Sequence, residues 1–395
     1  MKPGDDTEID GPGLPGPDRR IPEMRTIIDG LAFAKAVAHV SKTLIAGQRQ
    51  AVRLAATGDG LRLDADGQYY SRADLDAETV EDGSAVVNGF WLSSVAAVMP
   101  SEELNVETAD SKLRLDCRGI VMELPLIDDP AAEPNVPDLP EEWASIADGG
   151  LARAVGAVVH AADKGSNNPV LSAVRVRGLD GSIELSATNR YVAATARADG
   201  SADMDALVPA AWLKANAEGA DRIGATGRMF AIAGPVYTDA TPMVEGQAPV
   251  LAAIWPSKDA PLTLTMDRAE LLEAARRVKA VKFSGGETVT LALAVGDDSI
   301  TLGLDDAESG SGARQTVSAE VSGPVVDGHV EGAGRRLRLD ARYVANACGA
   351  LYGDRVTMYV APRSNGRYKP VLLACPDAPD GFDMRDEQLI VPILL

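Results

Sequence analysis

Apolar residues along the chain follow two spacings, one typical of a helix and one typical of a strand, and their order recurs three times. Helical spacing covers residues 31–46, 151–164 and 267–282. Each of these segments is followed by two short runs in which every second residue is apolar, joined by a turn that contains Gly or Asp. Because helices repeat every 3.6 residues and strands every two, each copy is predicted to hold a helix and then a β-hairpin.

A second helix is predicted in each copy, where an aliphatic residue lies four positions before an aromatic one. The pairs are Val87 and Trp91, Val208 and Trp212, and Leu339 and Tyr343. Corresponding positions of the first two copies are 121 or 122 residues apart, and the third hairpin follows 117 positions later. We interpret this pattern as a triplication of a unit of about 120 residues. The predicted fold class is α+β, with two helices against antiparallel sheets in each unit.

Proline- and acid-rich segments separate the copies. Residues 128–142 (DDPAAEPNVPDLPEE) follow the first copy, and Pro256 closes the second. The predicted domains are therefore residues 24–138, 139–257 and 258–395. Residues 1–23 are rich in Pro, Gly and acidic residues, and we expect a disordered acidic tail there.

Composition narrows the class of protein. The chain has 395 residues, of which 46% are hydrophobic but only 4% aromatic, so aliphatic residues must build the cores. It contains no apolar run of about 20 residues and no secretory h-region, which predicts a cytoplasmic protein. Its three cysteines (Cys117, Cys348 and Cys375) lack CxxC spacing, which fits a reducing compartment and argues against a disulfide framework or a thiolate metal site.

Positive charge is concentrated in the first helix of each copy, although the net charge of the chain is −20. Residues 31–46 carry two lysines and no acid, 151–164 have a net charge of +1, and 268–282 have a net charge of +3. A single basic helix face is most simply a solvated surface. Three equivalent basic helices in an acidic chain favour a shared surface that attracts phosphates without reading base sequence.

No catalytic constellation is visible. The three histidines (His39, His160 and His329) lack metal-ligand spacing, and the chain has no G-x-S-x-G elbow followed by a helix pattern. Residues 309–312 are rich in Gly but lack the Walker lysine, and acidic pairs such as Asp305-Asp306 are expected in solvated turns. We therefore expect no enzyme activity, no metal and no cofactor. Trp91 and Trp212 are expected to anchor the core.

Residues 185–194 (LSATNRYVAA) form a polar corner between two predicted strands, with Thr188, Asn189, Arg190 and Tyr191 at its tip. The residues alone allow an active-site rim, a docking pocket or an ordinary sheet edge. The corner belongs to the second hairpin and does not recur in the third copy, so the fold does not require it.

From Met24 to the chain end, the sequence resembles the beta subunit of bacterial DNA polymerase III, the sliding clamp family. The family has an Ala-Thr-Asp corner followed by a small or basic residue, an aromatic or His, and Arg-Leu-Ala, and here residues 187–193 read ATNRYVA. Its chain end is apolar-apolar-Pro-apolar closing on Leu, and here residues 389–395 read LIVPILL. Its second domain closes with Pro, a spacer, an aliphatic residue and Pro, matched by Pro249 and residues 254–256.

The resemblance implies a head-to-tail homodimer of six domains in a closed ring, with the basic helices lining the hole and duplex DNA passing through it. Weak backbone contacts would let the ring slide, so its binding to double-stranded DNA would not depend on sequence. Implied partners are a DNA polymerase, a clamp loader and other clamp-motif proteins. The residues expected to face DNA are Lys35, Lys42, Arg49, Arg153, His160, Lys164, Asn168, Lys214, Arg268, Arg276 and Lys279.

The resemblance also implies an apolar pocket that takes a short peptide motif from those partners. Carried over by position, its wall is Leu171, Thr188, Arg190, Tyr191, Val192, Pro249, Ile254, Tyr343, Leu389, Ile390, Val391, Pro392 and Ile393. A peptide with aliphatic and aromatic anchors needs such a cleft with a few polar edges. Val192 and Ala193 stand where the family has Arg and Leu, and Asn189 stands where it has Asp.

Two alternatives accompany this interpretation. A clamp paralogue with an inactive or regulatory role would fit the substitutions at Val192 and Ala193. A hydrolase on a repeated α+β scaffold would use the acidic loops, and it predicts clustered carboxylates or a bound metal.

Overall fold

The computed structural model describes residues 23–280, 289–306, 311–331, 336–363, 365–376 and 386–393. The predicted acidic tail lies outside these residues apart from Glu23. The last two residues of the helix predicted to end at Lys282, and Ser309 and Gly310 of the glycine-rich loop, also lie outside them.

Six α-helices lie in the described residues, two in each predicted copy. They are α1 (Gly30–Val40), α2 (Gly89–Ala96), α3 (Gly150–Val158), α4 (Ala210–Asn216), α5 (Arg268–Ala280) and α6 (Ala341–Ala350). Side chains cap the first turn of several, because the leading N–H groups of a helix have no partner within it. Asp29 accepts from the Ala32 amide at 2.8 Å, and Asn88 accepts from the Phe90 amide at 3.0 Å.

The strands before residue 137 form two sheets. They are β1 (Arg25–Asp29), β2 (Ala51–Thr57), β3 (Gly60–Asp66), β4 (Tyr70–Leu75), β5 (Glu78–Glu81), β6 (Gly83–Asn88), β7 (Glu103–Ala109), β8 (Lys112–Cys117) and β9 (Ile120–Pro125). One sheet has the order β5-β1-β7-β8-β9, and in the other β4, β3, β2 and β6 are successive neighbours.

The later strands repeat this plan twice. They are β10 (Ala144–Ser145), β11 (Ala173–Leu179), β12 (Ser182–Thr188), β13 (Val192–Asp199), β14 (Asp205–Pro209), β15 (Arg222–Thr226), β16 (Met229–Ala233), β17 (Tyr237–Pro242), β18 (Leu262–Asp267), β19 (Thr290–Val295), β20 (Ser299–Asp306), β21 (Ser311–Ser318), β22 (Glu320–Ser322), β23 (Val325–Val326), β24 (His329–Val330), β25 (Leu337–Asp340), β26 (Arg355–Val360), β27 (Val371–Ala374) and β28 (Glu387–Ile390).

Sheets of equivalent order recur in the second and third copies. The orders are β10-β15-β16-β17, β14-β11-β12-β13-β28-β27-β26-β18-β22 and β21-β20-β19-β25, with β23 and β24 as a separate pair. The strand pairs whose register the structure defines are antiparallel. The predicted α+β class and the three hairpins are therefore confirmed.

The chain divides into two compact units, one ending at Val136 and the other beginning at Pro137. The second unit holds both later copies, since β28 pairs with β13 on one side and with β27 on the other. The division into three domains stays a prediction.

Aliphatic residues dominate the cores, as the low aromatic content requires. In the first unit Val52, Leu54, Leu61 and Leu63 alternate inward from the β2–β3 hairpin and are fully buried, opposite a helix α1 whose Phe33 is also fully buried. Each fully buried side chain of this size stabilises the fold by about 2 kcal/mol. None of the described helices has the length and apolar character needed to cross a bilayer.

Candidate functional site

The polar corner between β12 and β13 is held in one shape by its own side chains. The Asn189 carboxamide oxygen accepts from the amides of Tyr191 at 2.9 Å and Val192 at 2.8 Å. The Thr188 hydroxyl accepts from the Arg190 amide at 3.0 Å and donates to the Val192 carbonyl at 2.8 Å. Arg190 adopts a left-handed conformation with φ of 78°. The result is a rigid turn from which the Tyr191 side chain projects, 63% exposed.

The chain end is bound to this corner. Strand β28 pairs Ile390 with Val192, and the next residue, Val391, donates its amide to the Tyr191 carbonyl at 2.9 Å. Further on, the Ile393 amide donates to the Arg338 carbonyl at 2.8 Å, which fixes the last described residue against β25. The corner and the chain end, which the sequence linked only through a resemblance, therefore lie side by side.

Helix α6 reaches the same place. The Asn189 carboxamide donates to the Tyr343 hydroxyl at 3.4 Å, so the half-buried Tyr343 lies at the base of the turn. Burial raises the pKa of Tyr343, and the Asn189 hydrogen bond opposes that rise. A neutral phenol beside an exposed Tyr191 and the aliphatic chain end makes a mixed apolar and polar surface.

The residues predicted to form the wall of the peptide pocket differ in their exposure to solvent. Val192, Leu389 and Ile390 are almost completely buried inside the sheet, and Leu171, Thr188 and Pro392 are also buried. In this conformation a peptide could reach Arg190, Tyr191, Tyr343, Val391 and Ile393. Val192 and Ala193, which stand where the family has Arg and Leu, are both buried, and Ala193 pairs with Leu389 of β28.

Pro249 and Ile254 are exposed on the segment that follows β17. Pro249 lines a groove of about 590 Å³ over the face of β11, β12 and β13, together with Trp255 and Glu387. Ile254 lines a groove of about 380 Å³ beside Tyr359 of β26. The Trp255 indole donates to the Glu387 carboxylate, and Lys258 lies 2.8 Å from the same group. This segment is therefore fastened to β28, the strand that carries the chain end.

Exposed cations lie on or near the helices of each unit. In the first unit Lys35, Lys42 and Arg49 are exposed, and Arg49 lies 3.5 Å from Asp66. In the second unit the exposed residues of the predicted set are Lys164, Asn168, Lys214, Arg276 and Lys279. Arg276 pairs with Glu273 at 2.7 Å, and Lys214 and Arg276 line one groove of about 380 Å³ among helices α3, α4 and α6.

Several proteins of known identity are similar to this chain in sequence, although no protein-family model matches it. The beta sliding clamp of Micrococcus luteus is 28% identical over 250 residues, covering 58% of this chain and 79% of that protein. The beta sliding clamp of Streptomyces coelicolor is 25% identical over 234 residues, covering 55% of this chain and 61% of that protein. The chain belongs to the bacterial beta sliding clamp family.

A solved clamp shares the fold of this chain. The DNA polymerase III subunit beta from Pseudomonas aeruginosa superposes with a TM-score of 0.80 at 17% sequence identity, covering 94% of this chain and 100% of that one. The similarity extends through both units of this clamp-family chain, whereas the Micrococcus alignment covers little more than half of it.

Two cations expected to face DNA in this clamp instead point inward. Arg153 forms an ion pair with Asp386, and its guanidinium also donates to the Arg197 carbonyl. His160 Nε2 lies 2.9 Å from the Gln388 carboxamide oxygen, while the Gln388 amide donates to the Ala157 carbonyl. That orientation makes the oxygen the acceptor and places the histidine proton on Nε2. The DNA-facing prediction is wrong for Arg153, whose largely buried side chain pairs with Asp386. His160, in the turn after α3, is half-buried and also lines the groove that Lys214 and Arg276 line.

Burial governs the pKa values of this inward network. It lowers the pKa of His160, because the charged imidazolium is poorly solvated there, and the hydrogen bond to Gln388 only partly opposes it. Burial also raises the pKa of Asp386, against the attraction of Arg153. Asp386 and Gln388 were missed from the sequence, which offered no sign that a strand more than 220 positions away would complete the site.

The guanidinium of Arg268 also forms hydrogen bonds within the clamp. Its guanidinium donates to the carbonyls of Gly353 at 2.6 Å and Cys348 at 2.9 Å. A cation at this position caps the carbonyl end of α6, where the helix dipole favours positive charge. The expectation that Arg268 faces DNA is therefore wrong.

Trp91 differs from expectation in the opposite sense. It was expected to anchor the core, yet it is exposed on α2 next to an exposed Phe90, whereas Trp212 is buried. A clue in the sequence was the lack of any charged residue from Gly89 to Ser101.

Among the described residues, no group of three or more His, Cys, Asp or Glu could hold a metal ion.

Proposed function

We propose that this chain is a DNA sliding clamp, which encircles duplex DNA as a head-to-tail homodimer and tethers a DNA polymerase and other clamp-binding proteins. The observation that carries the proposal is a clamp fold whose helices present exposed lysines and arginines in a chain of net charge −20. Such cations attract phosphates of any sequence, and weak contacts let the ring slide. The role is non-catalytic, and the proposed location is the cytoplasm.

Unpaired sheet edges supply surfaces for closing the ring. Among the described strands, β9 ends its five-stranded sheet and β21 ends its four-stranded sheet. Ile120 and Val121 are both exposed on β9. An edge strand offers free N–H and C=O groups to another chain. We infer that β9 of one copy adds to β21 of the other, and that two such contacts close a dimer.

Mutation of the β9 edge tests closure. The wild-type protein should have a mass of twice 41.3 kDa by light scattering, and a variant with Ile120→Lys and Val121→Lys should be a monomer of 41.3 kDa. Val80→Lys is a matched control, because Val80 is exposed on β5 at the opposite edge of the same sheet. A monomeric wild type at micromolar concentration, or a dimeric double variant, would contradict the interface.

DNA retention tests the clamp role itself. Once loaded on a nicked circle by a clamp loader, the protein should remain bound at a salt concentration that removes ordinary phosphate contacts. Cutting the circle should release it, because a ring slides off a free end. Equal retention on circular and linear DNA would overturn the proposal.

The corner and the chain end are proposed as the peptide site. The exposed Tyr191 side chain and Val391 offer aromatic and aliphatic contacts, and Arg190 offers a charged edge. Deleting residues 391–395 should abolish binding of a clamp-motif peptide while the dimer stays intact. Val98→Ala is the control, since Val98 is exposed in the first unit, which contributes no residue to the proposed site, and its loss should leave peptide affinity unchanged. Unchanged affinity after the deletion would exclude this site.

A further inference from the structure

Helix α2 of the first unit has an exposed aromatic surface. Trp91 is 54% exposed, and the adjacent Phe90 is also exposed. The opposite face of the helix is anchored in the core through Leu92 and Ala96. A tryptophan and a phenylalanine left open on an ordered helix are an unusual use of two of the chain's few aromatic residues.

The segment that carries Lys42 lies beside the start of α2, where this aromatic pair is found. Helix α1 and the turn after it pack against α2, and the Ser41 hydroxyl lies 3.5 Å from the Gly89 carbonyl. Gly89 is so close to the Leu44 side chain that a Cβ there would lie 2.5 Å from it. These contacts bring Lys42, which follows Ser41, to the end of α2 where Phe90 and Trp91 are found. Lys42 is exposed.

Acidic residues are absent from the sequence around this surface. Residues 30–58 contain Lys35, Lys42, Arg49 and Arg53 but no Asp or Glu, and residues 83–101 contain no charged residue at all. Arg49 and Arg53 face Asp66 and Asp64 of β3. In a chain with 58 acidic residues, the segments that carry the aromatic pair and Lys42 therefore contain no acidic residue of their own. A negatively charged ligand with flat apolar groups matches both properties.

We propose that Phe90 and Trp91 form a stacking platform for unpaired bases of single-stranded DNA, with Lys42 contacting its phosphates. Aromatic side chains stack on any exposed base, and neighbouring cations follow the backbone. A duplex needs only the cations, because its bases are covered by their partners. The platform deepens the proposed function and rests on it: a clamp on a primed template would hold the single strand beside the duplex.

Binding to two DNA forms tests the platform. A fluorescein-labelled oligo(dT) and a duplex of equal length are titrated with the full chain at low salt, and affinity is read by anisotropy. Trp91→Leu should weaken binding to oligo(dT) about tenfold, the effect of losing one stacked base. Its affinity for the duplex should change less than about twofold, since the phosphate contacts remain. Trp91→Phe should keep most of the affinity for oligo(dT).

Controls separate stacking from folding. Val98→Ser changes another exposed residue at the far end of the same apolar segment and should leave both affinities unchanged. Photo-crosslinking with 5-iododeoxyuridine in the oligonucleotide should label Phe90 or Trp91. Absence of oligo(dT) binding by the wild type, equal loss for both DNA forms in Trp91→Leu, or crosslinks confined to other residues would overturn the platform. Retention on nicked circles judges the clamp role separately, so either proposal can fail alone.

Discussion

Trp91 and Trp212 occupy the same place in two copies of the repeat but have opposite surroundings. Each lies four residues after a fully buried valine and directly before a fully buried leucine. Yet Trp91 is 54% exposed and Trp212 only 7% exposed. The helix signature therefore sets the position of the aromatic residue, and the neighbouring sheet decides whether it is buried.

The difference between the copies lies in one strand of the sheet below. Trp212 meets Phe230 edge to face, with ring centroids 6.1 Å apart and an angle of 86° between the planes. Phe230 is the second residue of β16, and the second residue of the equivalent strand β8 is Leu113. A leucine offers no ring edge to a tryptophan. We infer that Phe230 holds Trp212 in the core and that the first copy was free to leave Trp91 outside.

The largest expected effect is the difference in stability lost when each of these two tryptophans is replaced by alanine. Trp212→Ala should destabilise the second unit by about 3–5 kcal/mol, because it leaves a large cavity against Phe230. Trp91→Ala should change stability by less than about 0.5 kcal/mol, since its ring is largely in solvent already. Urea unfolding followed by circular dichroism measures both. Equal destabilisation by the two substitutions would contradict the assigned difference in burial.

The two units also differ in how they bury an acidic residue between arginines. In the first unit Asp64 is fully buried, accepts from Tyr70 and pairs with Arg53 at 2.7 Å and Arg72 at 3.1 Å. Burial alone would raise the pKa of Asp64, but the hydrogen bonds from Tyr70 and Arg53 and the charge of Arg72 outweigh it and lower the pKa. In the second unit Glu184 holds the corresponding role but is 17% exposed.

Replacing Asp64 and replacing Glu184 should destabilise the protein to different extents. Asp64→Ala should destabilise the first unit by about 3 kcal/mol, because it leaves two partly buried arginines without their partner. Glu184→Ala should cost about 1 kcal/mol or less, since water can replace it beside Arg177 and Arg197. The measurement is urea unfolding at pH 7, with each variant compared with the wild type.

Acid titration gives the comparison a second readout. The lowered pKa of Asp64 means that its stabilising effect is present above the unfolded pKa and is lost as pH falls through the folded value. Unfolding of the first unit should therefore become easier below about pH 4 in the wild type, and this dependence should be weaker in Asp64→Ala. An unchanged pH profile would exclude Asp64 as the responsible group.

Exposed and largely buried cations of the second unit should differ in their effects on duplex binding and on stability. Lys214→Ala removes an exposed cation, so it should reduce the dependence of duplex binding on salt by about one phosphate contact without affecting stability. Arg153→Ala breaks the pair with Asp386 and should destabilise the second unit by about 3 kcal/mol with the salt dependence unchanged. A reduced salt slope in Arg153→Ala would restore Arg153 to the DNA-facing set.

Periodicity was sufficient to predict the fold. The alternation at Val52 and Leu54 and at Leu61 and Leu63 predicted a hairpin, and the structure buries these residues on one face of β2 and β3. Such patterns are local, and every copy carries them, so three weak signals support one another.

The burial and the contact partners of individual side chains could not be predicted in the same way. Spacing placed Arg153 and His160 on one face of a helix, whereas α3 ends at Val158, before His160, and spacing could not say what either side chain would meet. Their partners Asp386 and Gln388 are 233 and 228 positions away. Trp91 shows the same limit, because its exposure depends on a residue of another strand. Contacts between distant segments decide burial, and a single sequence does not display them.

The smallest expected effect concerns His160 of the second unit, with His39 of α1 as its counterpart in the first unit. The lowered pKa of His160 means that the folded state binds a proton less readily than the unfolded chain. Its contribution to stability is therefore complete above the unfolded pKa of about 6.5 and is lost as pH falls below that value and through the lower folded pKa. Lys214, Arg276 and Glu218 line the same groove and are present in every variant compared.

Substitution of this histidine isolates its part of the pH profile. His160→Gln can still donate to the Gln388 oxygen but does not titrate, so its melting temperature should fall less than that of the wild type between pH 7.5 and 5.5. His39→Gln on α1 is the matched control and should follow the wild-type profile. If His160→Gln and the wild type lose stability in parallel, the imidazole is solvated in solution and the contact with β28 is not maintained. That result would also return this face of α3 to the surface available to DNA.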